Sequence, residues 1–278
     1  MTAEPLPDQL ISSASRRTRR SSGALSSPPF LGAATLLVLV FLWWGEAALH
    51  LVPPLFLPPP GAVVAALFAV AADGFVDASL SQHAVASLSR VFAALVVATL
   101  TGVPTGLALG LNRIARGILD PLIELYRPIP PLAYLPLIVI WFGIGETSKV
   151  LLIYLAIFAP IAIATRAGVR SVPEERIRAA RALGASRSQV LRLVVLPNAL
   201  PDVLTGIRIG LGAGWSTLVA AELIAATRGL GFMVQSAAQF LVTDVVVMGI
   251  FVIAAVALAL ELAVRFLERR LVPWKGRA

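Results

Sequence analysis

The sequence predicts an all-α integral membrane protein with six transmembrane helices. The 278-residue chain is 58% hydrophobic and only 14% charged, and its mean hydropathy is +0.87, whereas a water-soluble domain carries about a quarter charged residues. Six apolar windows have about the length that a helix needs to cross a bilayer core of about 30 Å. The arginines fall in blocks between these windows, which is typical of membrane proteins whose basic loops remain in the cytoplasm.

The first elements along the chain are a basic tail and a membrane anchor. Residues 1–29 are rich in serine and proline and contain Arg16, Arg17, Arg19 and Arg20. This composition predicts a disordered tail that stays in the cytoplasm. The apolar run Phe30–Leu49 follows as the first transmembrane helix. Because a long polar segment precedes it, we expect a retained anchor rather than a cleaved leader.

Residues 50–87 are predicted to form a periplasmic connector. The run Pro53–Pro60 contains five prolines, so it cannot form a regular helix and favours an extended backbone. Ala62–Ala72 and Ala78–Arg90 show a weak amphipathic pattern. This pattern predicts two short helices at the outer face of the membrane.

Residues 88–266 are predicted to form the membrane core, with five further transmembrane helices. These helices run approximately over Leu88–Leu111, Leu122–Phe142, Val150–Thr165, Val203–Ile224 and Val245–Phe266. The second of them contains four prolines, which predict a bent or partly unwound segment. Residues 267–278 are predicted to be a cytoplasmic tail. The loops that alternation places inside are arginine-rich and the opposite loops carry almost no basic residue, so both termini are expected in the cytoplasm.

Two of the predicted spans carry a stripe of glycines at a spacing of four residues. The stripes are Gly102, Gly106 and Gly110 in one span and Gly206, Gly210 and Gly214 in the other. Apolar burial gives no net drive between helices in lipid, so close backbone approach along small residues is a main source of helix association. We therefore expect both stripes to be packing seams.

The segment 171–201 is predicted to be a helical hairpin on the cytoplasmic side. Ser171 with Glu174, and Ser186 with Gln189, each have the spacing of a capping box. These signals predict one helix over Glu174–Leu183, a turn at Gly184, and a second helix over Arg187–Leu196 that Pro197 stops.

This hairpin carries a family resemblance. Residues Arg178-Ala179-Ala180, Gly184, Val194, Leu196 and Pro197 have the spacing of the EAA loop of bacterial ABC importer permeases. Arg178 stands where that pattern has glutamate, and Val194 stands where it has isoleucine. Residues 52–60, 116–149 and 214–237 are similar to the nitrate/sulfonate/taurine group of these permeases. The chain thus resembles a type I ABC importer permease with a MetI-like bundle and cytoplasmic coupling helices.

The resemblance implies partners, a substrate and a coupling surface. The partners would be two cytoplasmic ATPase subunits, a periplasmic or lipid-anchored substrate-binding protein and a second copy of this chain, all at the bacterial inner membrane. The substrate would be a small organosulfonate such as taurine; another small anion of the same group, an aliphatic sulfonate or nitrate, is the alternative. The implied coupling residues are Arg178, Ala179, Ala180, Gly184, Ala185, Ser186, Leu196 and Pro197.

Some polar residues within the spans are candidates for lining a transport pathway. Trp215, Ser216 and Thr217 follow the second glycine stripe near the middle of a span and are candidate pathway residues, or else bond to neighbouring helices. Glu124 and Arg127 have helical ion-pair spacing and are expected to anchor their span at the inner interface. Two further charges in the second-last span are Arg208, which could meet an anionic substrate or a lipid phosphate, and Glu222.

Other functional classes find little support in the sequence. The chain has no cysteine and two histidines, so no catalytic residue, metal site or cofactor is expected. The basic residues do not form a patch with interleaved aromatics, which disfavours nucleic-acid binding. No complete phosphate-binding loop is present, so ATP hydrolysis is expected from a separate polypeptide. A self-contained secondary transporter is the less favoured alternative, since no coupling carboxylate or inverted repeat is evident.

Overall fold

The computed structural model describes residues 28–274 and divides into two compact units. The first unit extends to Val52 and contains α1 (Pro28–Leu49). Most of its described side chains are exposed, and the backbone N–H of Val52 donates to the Glu46 carboxylate at 3.0 Å. The predicted tail therefore lies almost wholly outside the described residues, as do residues 275–278.

The second unit, from Pro53 onward, is a bundle of helices. Its helices are α2 (Pro60–Asp73), α3 (Leu80–Leu111), α4 (Arg113–Tyr126), α5 (Leu135–Phe142), α6 (Glu146–Arg170), α7 (Glu174–Ala182), α8 (Arg187–Val190), α9 (Leu196–Ala225), α10 (Leu230–Gln239) and α11 (Thr243–Leu271). A short 3₁₀ segment, Pro131–Tyr134, precedes α5, and a π-helical segment, Leu191–Val195, joins α8 to α9.

Among the described residues, five helices are long and apolar enough to cross a bilayer. Four of them correspond to α1, α3, α6 and α11, and the fifth is the continuous helix Arg187–Ile224. The sixth candidate is the pair formed by α4 and the segment Pro131–Phe142, which meet at 89°. The predicted all-helical membrane fold is confirmed, and the proline-rich span is bent as expected.

The two glycine stripes pack against two different faces of the same helix, α6. A Cβ atom at Gly106 would lie 2.5 Å from the carbonyl oxygen of Ala162, and one at Gly206 would lie 2.6 Å from the Cβ of Ala164. The neighbouring glycines of each stripe meet Ile161, Val169 and Ile157 of the same helix. Because its neighbours approach so closely, α6 is the central helix of the bundle, and Leu152, Ile153, Ile157 and Ile161 on it are fully buried.

Several predicted boundaries differ from the structure. The expected connector helix over Ala78–Arg90 and the following span are one helix, α3, which begins with a capping box between Ser79 and Gln82. The connector that was placed at residues 50–87 therefore ends before Leu80. At the other end of the chain, α11 continues to Leu271, into the segment predicted as a tail. The helix α10 was not predicted.

The prediction that Pro197 stops a helix was wrong. The chain passes from α8 through the π-helical segment into α9 without a break, and the N–H of Leu196 bonds to the carbonyl of Leu191, five residues back. Pro197 lies in the first turn of α9. A missing backbone donor is tolerated there better than in a helix interior, and the wider π turn shifts the bonding pattern just before the proline.

Candidate functional site

The predicted helical hairpin (residues 171–201) lies at one end of the bundle, which we refer to as the hairpin end. Its turn is a Schellman motif: the N–H of Ala185 bonds to the carbonyl of Ala180 at 3.1 Å, and the N–H of Gly184 bonds to the carbonyl of Arg181 at 2.9 Å. Gly184 has a φ of +84°, a conformation that favours glycine because it has no Cβ. The glycine turn between two helices was thus correctly predicted.

Only one of the two predicted capping boxes forms. The Ser186 hydroxyl accepts from the N–H of Gln189, and the Gln189 side chain accepts from the N–H of Ser186 at 2.8 Å. In contrast, the Ser171 hydroxyl donates to the carbonyl of Gly168 at 2.9 Å, and Pro173 occupies the N-cap of α7 with no side-chain bond. The first capping-box prediction was therefore wrong, because α6 extends to Arg170 and Ser171 belongs to its end.

The predicted coupling residues face two directions. Ala180 and Ala185 are half-buried and pack against the hairpin's own core around Val172, Val190 and Val195; Leu196 is also half-buried. The exposed members are Arg178, Ala179, Gly184, Ser186 and Pro197. Arg178, which stands at the glutamate position of the EAA pattern, forms an exposed ion pair with Glu174 on its own helix.

One residue at the tip of the hairpin escaped the sequence analysis. Leu183 directly precedes the glycine turn and its side chain is 89% exposed, although leucine is among the residues most often buried. The turn also exposes Ala182 and Gly184. The hairpin therefore presents a small apolar tip beside the arginines of α7. Its signal in the sequence was an apolar residue at the end of an otherwise polar helix.

A groove of about 430 Å³ opens between the bent pair α4–α5, α6 and α9. Its polar lining consists of Tyr126, Arg127, Tyr134 and Thr217. Its remaining lining is apolar and includes five alanines, namely Ala156, Ala159, Ala164, Ala167 and Ala213. The volume falls in the range of about 300–1,000 Å³ that is usual for small-ligand sites.

The three predicted pathway residues do not share one face. Thr217 lines the groove, whereas Trp215 and Ser216 line a separate cleft beside α11. Successive residues of a helix point about 100° apart around its axis, so three residues in a row cannot all face one cavity. Trp215 is buried, and the Ser216 and Thr217 hydroxyls donate to the carbonyls of Gly212 and Ala213. Of the three, only Thr217 remains a candidate for the groove.

The predicted ion pair between Glu124 and Arg127 is not formed. Both side chains are exposed, and neither has an ion-pair partner in the described part of the chain. Arg127 points toward the groove instead. Arg208, which was weighed as a substrate-binding cation, contacts Glu268 at 3.4 Å and Glu261 at 4.0 Å at the hairpin end.

Opposite the hairpin end, charged side chains from three helices meet in a cluster, and all of them except Glu146 are buried. Arg90 of α3 contacts Glu146 of α6 through Nε at 2.5 Å and through its second terminal nitrogen at 2.8 Å. Its other terminal nitrogen donates to Glu222 of α9 at 2.5 Å and to the carbonyl of Arg228 at 2.7 Å. Lys149 donates to Glu146 at 2.9 Å. We call Arg90, Glu146, Lys149 and Glu222 the ionic cluster.

Glu222 is the most enclosed member, with a side chain that is 0% exposed. Its carboxylate accepts from the Ser87 hydroxyl at 2.9 Å and from the N–H of Gly231 at 2.9 Å. Ser87 in turn accepts from the N–H of Leu230 at 2.9 Å. These bonds hold the start of α10 against α3 and α9. A buried carboxylate with this many donors satisfies the requirement that buried charges be paired and hydrogen-bonded.

His83 extends the network toward the loop before α3. Its Nδ1 accepts from the N–H of Gly229 at 3.2 Å, so its Nε2 carries the proton and donates to the carbonyl of Phe75 at 2.9 Å. The sequence indicated Glu222 as a charge within a span, and it gave no sign of His83 or Ser87. The available signal for the ionic cluster was that Arg90 and Glu222, which carry opposite charges, each lie within an apolar run of the sequence.

Comparison with known proteins was consistent across sequence and structure. Residues 98–273 match the family of binding-protein-dependent transport system inner membrane components. The chain is 70% identical over 203 residues to the taurine transport system permease protein TauC of Escherichia coli strain K12, covering 73% of this chain and 74% of that protein. It is 36% identical over 197 residues to the bicarbonate transport system permease protein CmpB of Synechococcus elongatus, covering 70% and 71%.

A solved structure shares the fold. A chain of the MetNI methionine ABC transporter in an inward-facing conformation superposes with a TM-score of 0.60 at 21% identity, covering 67% of this chain and 93% of that one. The family match spans more than half of the sequence and includes α6, the helical hairpin and α9. The chain therefore belongs to the binding-protein-dependent transport system inner membrane components, the permease subunits of ABC importers.

Proposed function

We propose that this chain is the permease subunit of an ATP-driven importer that carries taurine across the bacterial inner membrane. The high identity to a taurine permease along most of both chains supports the substrate. An ATPase subunit and a substrate-binding protein are the partners of such a permease. Two copies of this chain and two ATPase subunits would form the complex, with both chain termini in the cytoplasm.

The observation that carries this proposal is the exposed tip of the helical hairpin. The hairpin packs on the bundle through its inward-facing alanines, while Ala179, Leu183 and Gly184 remain exposed. A leucine that is 89% exposed next to small residues has the form of a knob that fits a pocket on another protein. The surrounding arginines would favour an acidic rim around that pocket.

In this mechanism, movement of the ATPase subunits changes the side of the membrane to which the transport pathway is open. Closure of the two ATPase subunits on ATP would draw the two hairpins together, and rigid movement of the attached helices would open the pathway on the opposite side of the membrane. The chain itself supplies no hydrolytic step. Selection would rest mainly on the external binding protein, and the groove between α4–α5, α6 and α9 would form half of the pathway, with the second copy providing the other half.

Changing Gly184 tests the coupling role. Gly184→Arg is expected to lower taurine-stimulated ATPase activity of the reconstituted complex about tenfold, because it places a large side chain at a turn with positive φ that faces the partner. Gly184→Asn is the matched control, since asparagine tolerates this backbone region and is smaller. Stimulation that persists in the arginine variant would contradict the role of the hairpin.

Leu183 offers a second test that leaves the backbone unstrained. Its side chain contacts little within the chain, so Leu183→Ser should not change the stability of the isolated permease by more than about 0.5 kcal/mol. We expect the affinity for the ATPase subunit to fall about tenfold, because an apolar anchor is lost from the interface. Binding of the purified ATPase to permease in nanodiscs measures this effect, and unchanged affinity would remove Leu183 from the interface.

The substrate assignment has its own measurement. Proteoliposomes that contain the permease, the ATPase subunit and the binding protein should accumulate labelled taurine only with ATP inside. The relation to a bicarbonate permease makes another small anion the alternative, so unlabelled isethionate, nitrate and bicarbonate serve as competitors. Absence of ATP-dependent taurine uptake, or taurine uptake that nitrate or bicarbonate inhibits more strongly than unlabelled taurine does, would overturn the assignment.

A further inference from the structure

Arg127 is an unusual arginine within the bundle. It ends α4 at the bend before α5, its side chain is exposed, and no ion-pair partner is found for it among residues 28–274. The preceding residue, Tyr126, indicates the level of Arg127 along the bundle, because the ring centroids of Tyr126 and Phe158 are 6.4 Å apart. Phe158 lies at the centre of α6 (Glu146–Arg170). Arg127 therefore lies close to the level of the middle of α6, a helix that is long and apolar enough to cross a membrane.

An unpaired charge at this depth is costly in lipid, by about 2.5–3.5 kcal/mol or more for arginine. The chain avoids this cost elsewhere within the bundle, because Arg90, Arg166 and Arg208 each contact a carboxylate. Arg127 has no such partner, although Glu124 lies one helical turn away. A cation in this situation must face water or an anion rather than hydrocarbon.

The surroundings of Arg127 provide such a place. Arg127 lines the groove together with Tyr134 and Thr217. On the α6 and α9 sides half of the lining residues are alanines, whose small side chains leave open space in the groove. The guanidinium presents a planar set of N–H donors that suits the oxygens of a carboxylate, phosphate or similar anion. None of the described residues that line this groove carries a carboxylate.

We propose that Arg127 is an anion-binding residue within the transport pathway, where its guanidinium contacts the sulfonate of the passing substrate. This inference rests on the proposed function, since the second copy would close the groove into an aqueous passage. The arginine pairs with the sulfonate group of the substrate at the depth where a charge is least stable in a membrane. The groove in each copy then contributes one cation, and the paired pathway contains two.

A cysteine variant tests both the aqueous environment and the charge. The natural chain has no cysteine, so Arg127→Cys introduces a single thiol into the permease. We expect membrane-impermeant methanethiosulfonates to label it, whereas Leu258→Cys on the exposed apolar face of α11 should remain unlabelled. Taurine uptake by the unlabelled Arg127→Cys complex should fall about tenfold, a loss that corresponds to about 1.4 kcal/mol.

Chemical rescue separates charge from shape. Aminoethyl methanethiosulfonate adds an ammonium group to the introduced thiol and is expected to restore most of the uptake. Methyl methanethiosulfonate adds an uncharged group and should restore none. Equal rescue by both reagents, or rescue by neither, would overturn the proposal. Arg113→Gln, which removes an exposed arginine at the start of the same helix, is the matched control and should transport like the natural complex.

The outcomes distinguish a failure of the proposed substrate from a failure of the role proposed for Arg127. If the unmodified complex accumulates no taurine, the proposed substrate fails, and the assignment of Arg127 as the residue that binds its sulfonate fails with it. If it accumulates taurine and Arg127→Gln accumulates it at the same rate, the assignment of Arg127 fails while the proposed function stands. Arg127→Lys keeps the charge and is expected to retain more uptake than Arg127→Gln, since lysine loses only the planar donor geometry.

Discussion

Replacing Arg90 with methionine is expected to lower the free energy of unfolding by roughly 3–5 kcal/mol, because it leaves a buried carboxylate without its cation. Arg90 is 5% exposed and contacts Glu222, whose side chain is fully buried, at 2.5 Å. It also holds Glu146 through two hydrogen bonds. Thermal unfolding of the detergent-purified permease, followed by tryptophan fluorescence, measures the change as a fall in midpoint temperature.

Two matched variants show whether burial causes the effect. Arg265→Met removes one partner of an ion pair with Glu261 whose side chains are 53% and 34% exposed, and such a pair is worth at most about 1 kcal/mol. The double variant Arg90→Met with Glu222→Gln removes the stranded charge and should regain part of the lost stability. Equal midpoints for Arg90→Met and Arg265→Met would contradict a stabilising role for the ionic cluster.

The second large effect concerns the glycine seams on α6. Gly106→Ala is expected to destabilise the bundle by about 1–3 kcal/mol, because the added methyl group would lie 2.5 Å from the Ala162 carbonyl oxygen and from the Thr165 Cβ. Gly206→Ala should behave similarly, since its Cβ would meet that of Ala164 at 2.6 Å. Both changes push a neighbouring helix away from α6.

The control for this prediction lies on the same helix as the second stripe. No atom lies within 4 Å of a Cβ built at Gly212, so Gly212→Ala should stabilise α9 by roughly 0.5–1 kcal/mol through its higher helix propensity. The sign of the effect therefore differs between Gly206 and Gly212. Thermal midpoints of the purified variants test this difference, and destabilisation of similar size at both glycines would contradict close packing as its cause.

The transmembrane fold was predictable because hydrophobicity alone specifies it. Long apolar runs, arginine-rich loops and four prolines in one span predicted the helices and the bend. Helix ends were less predictable, since tertiary contacts extend α3 beyond its apolar run and carry α9 through Pro197. The helix α10 is held by hydrogen bonds from Leu230 and Gly231 to Ser87 and Glu222, and such distant partners leave no mark on the local sequence.

The candidate sites were predictable in position but not in detail. The hairpin and its turn follow from Gly184 and from the capping box at Ser186, both of which are local signals. The inward direction of Ala180 and the exposure of Leu183 depend on how the hairpin packs on the bundle. Arg127 has the spacing of an ion pair with Glu124, and only the three-dimensional structure shows that it lines a cavity instead.

The unbroken helix from Arg187 to Ile224 extends from the hairpin end of the bundle to its opposite end. Its 38 residues correspond to a length of about 57 Å at 1.5 Å per residue. One end begins at the turn of the hairpin, and the other carries Glu222 into contact with Arg90. If the hairpin end binds the ATPase subunit as proposed, a force applied there would be transmitted along this one helix to the opposite end of the bundle, and the irregular π turn is where the helix would bend most easily.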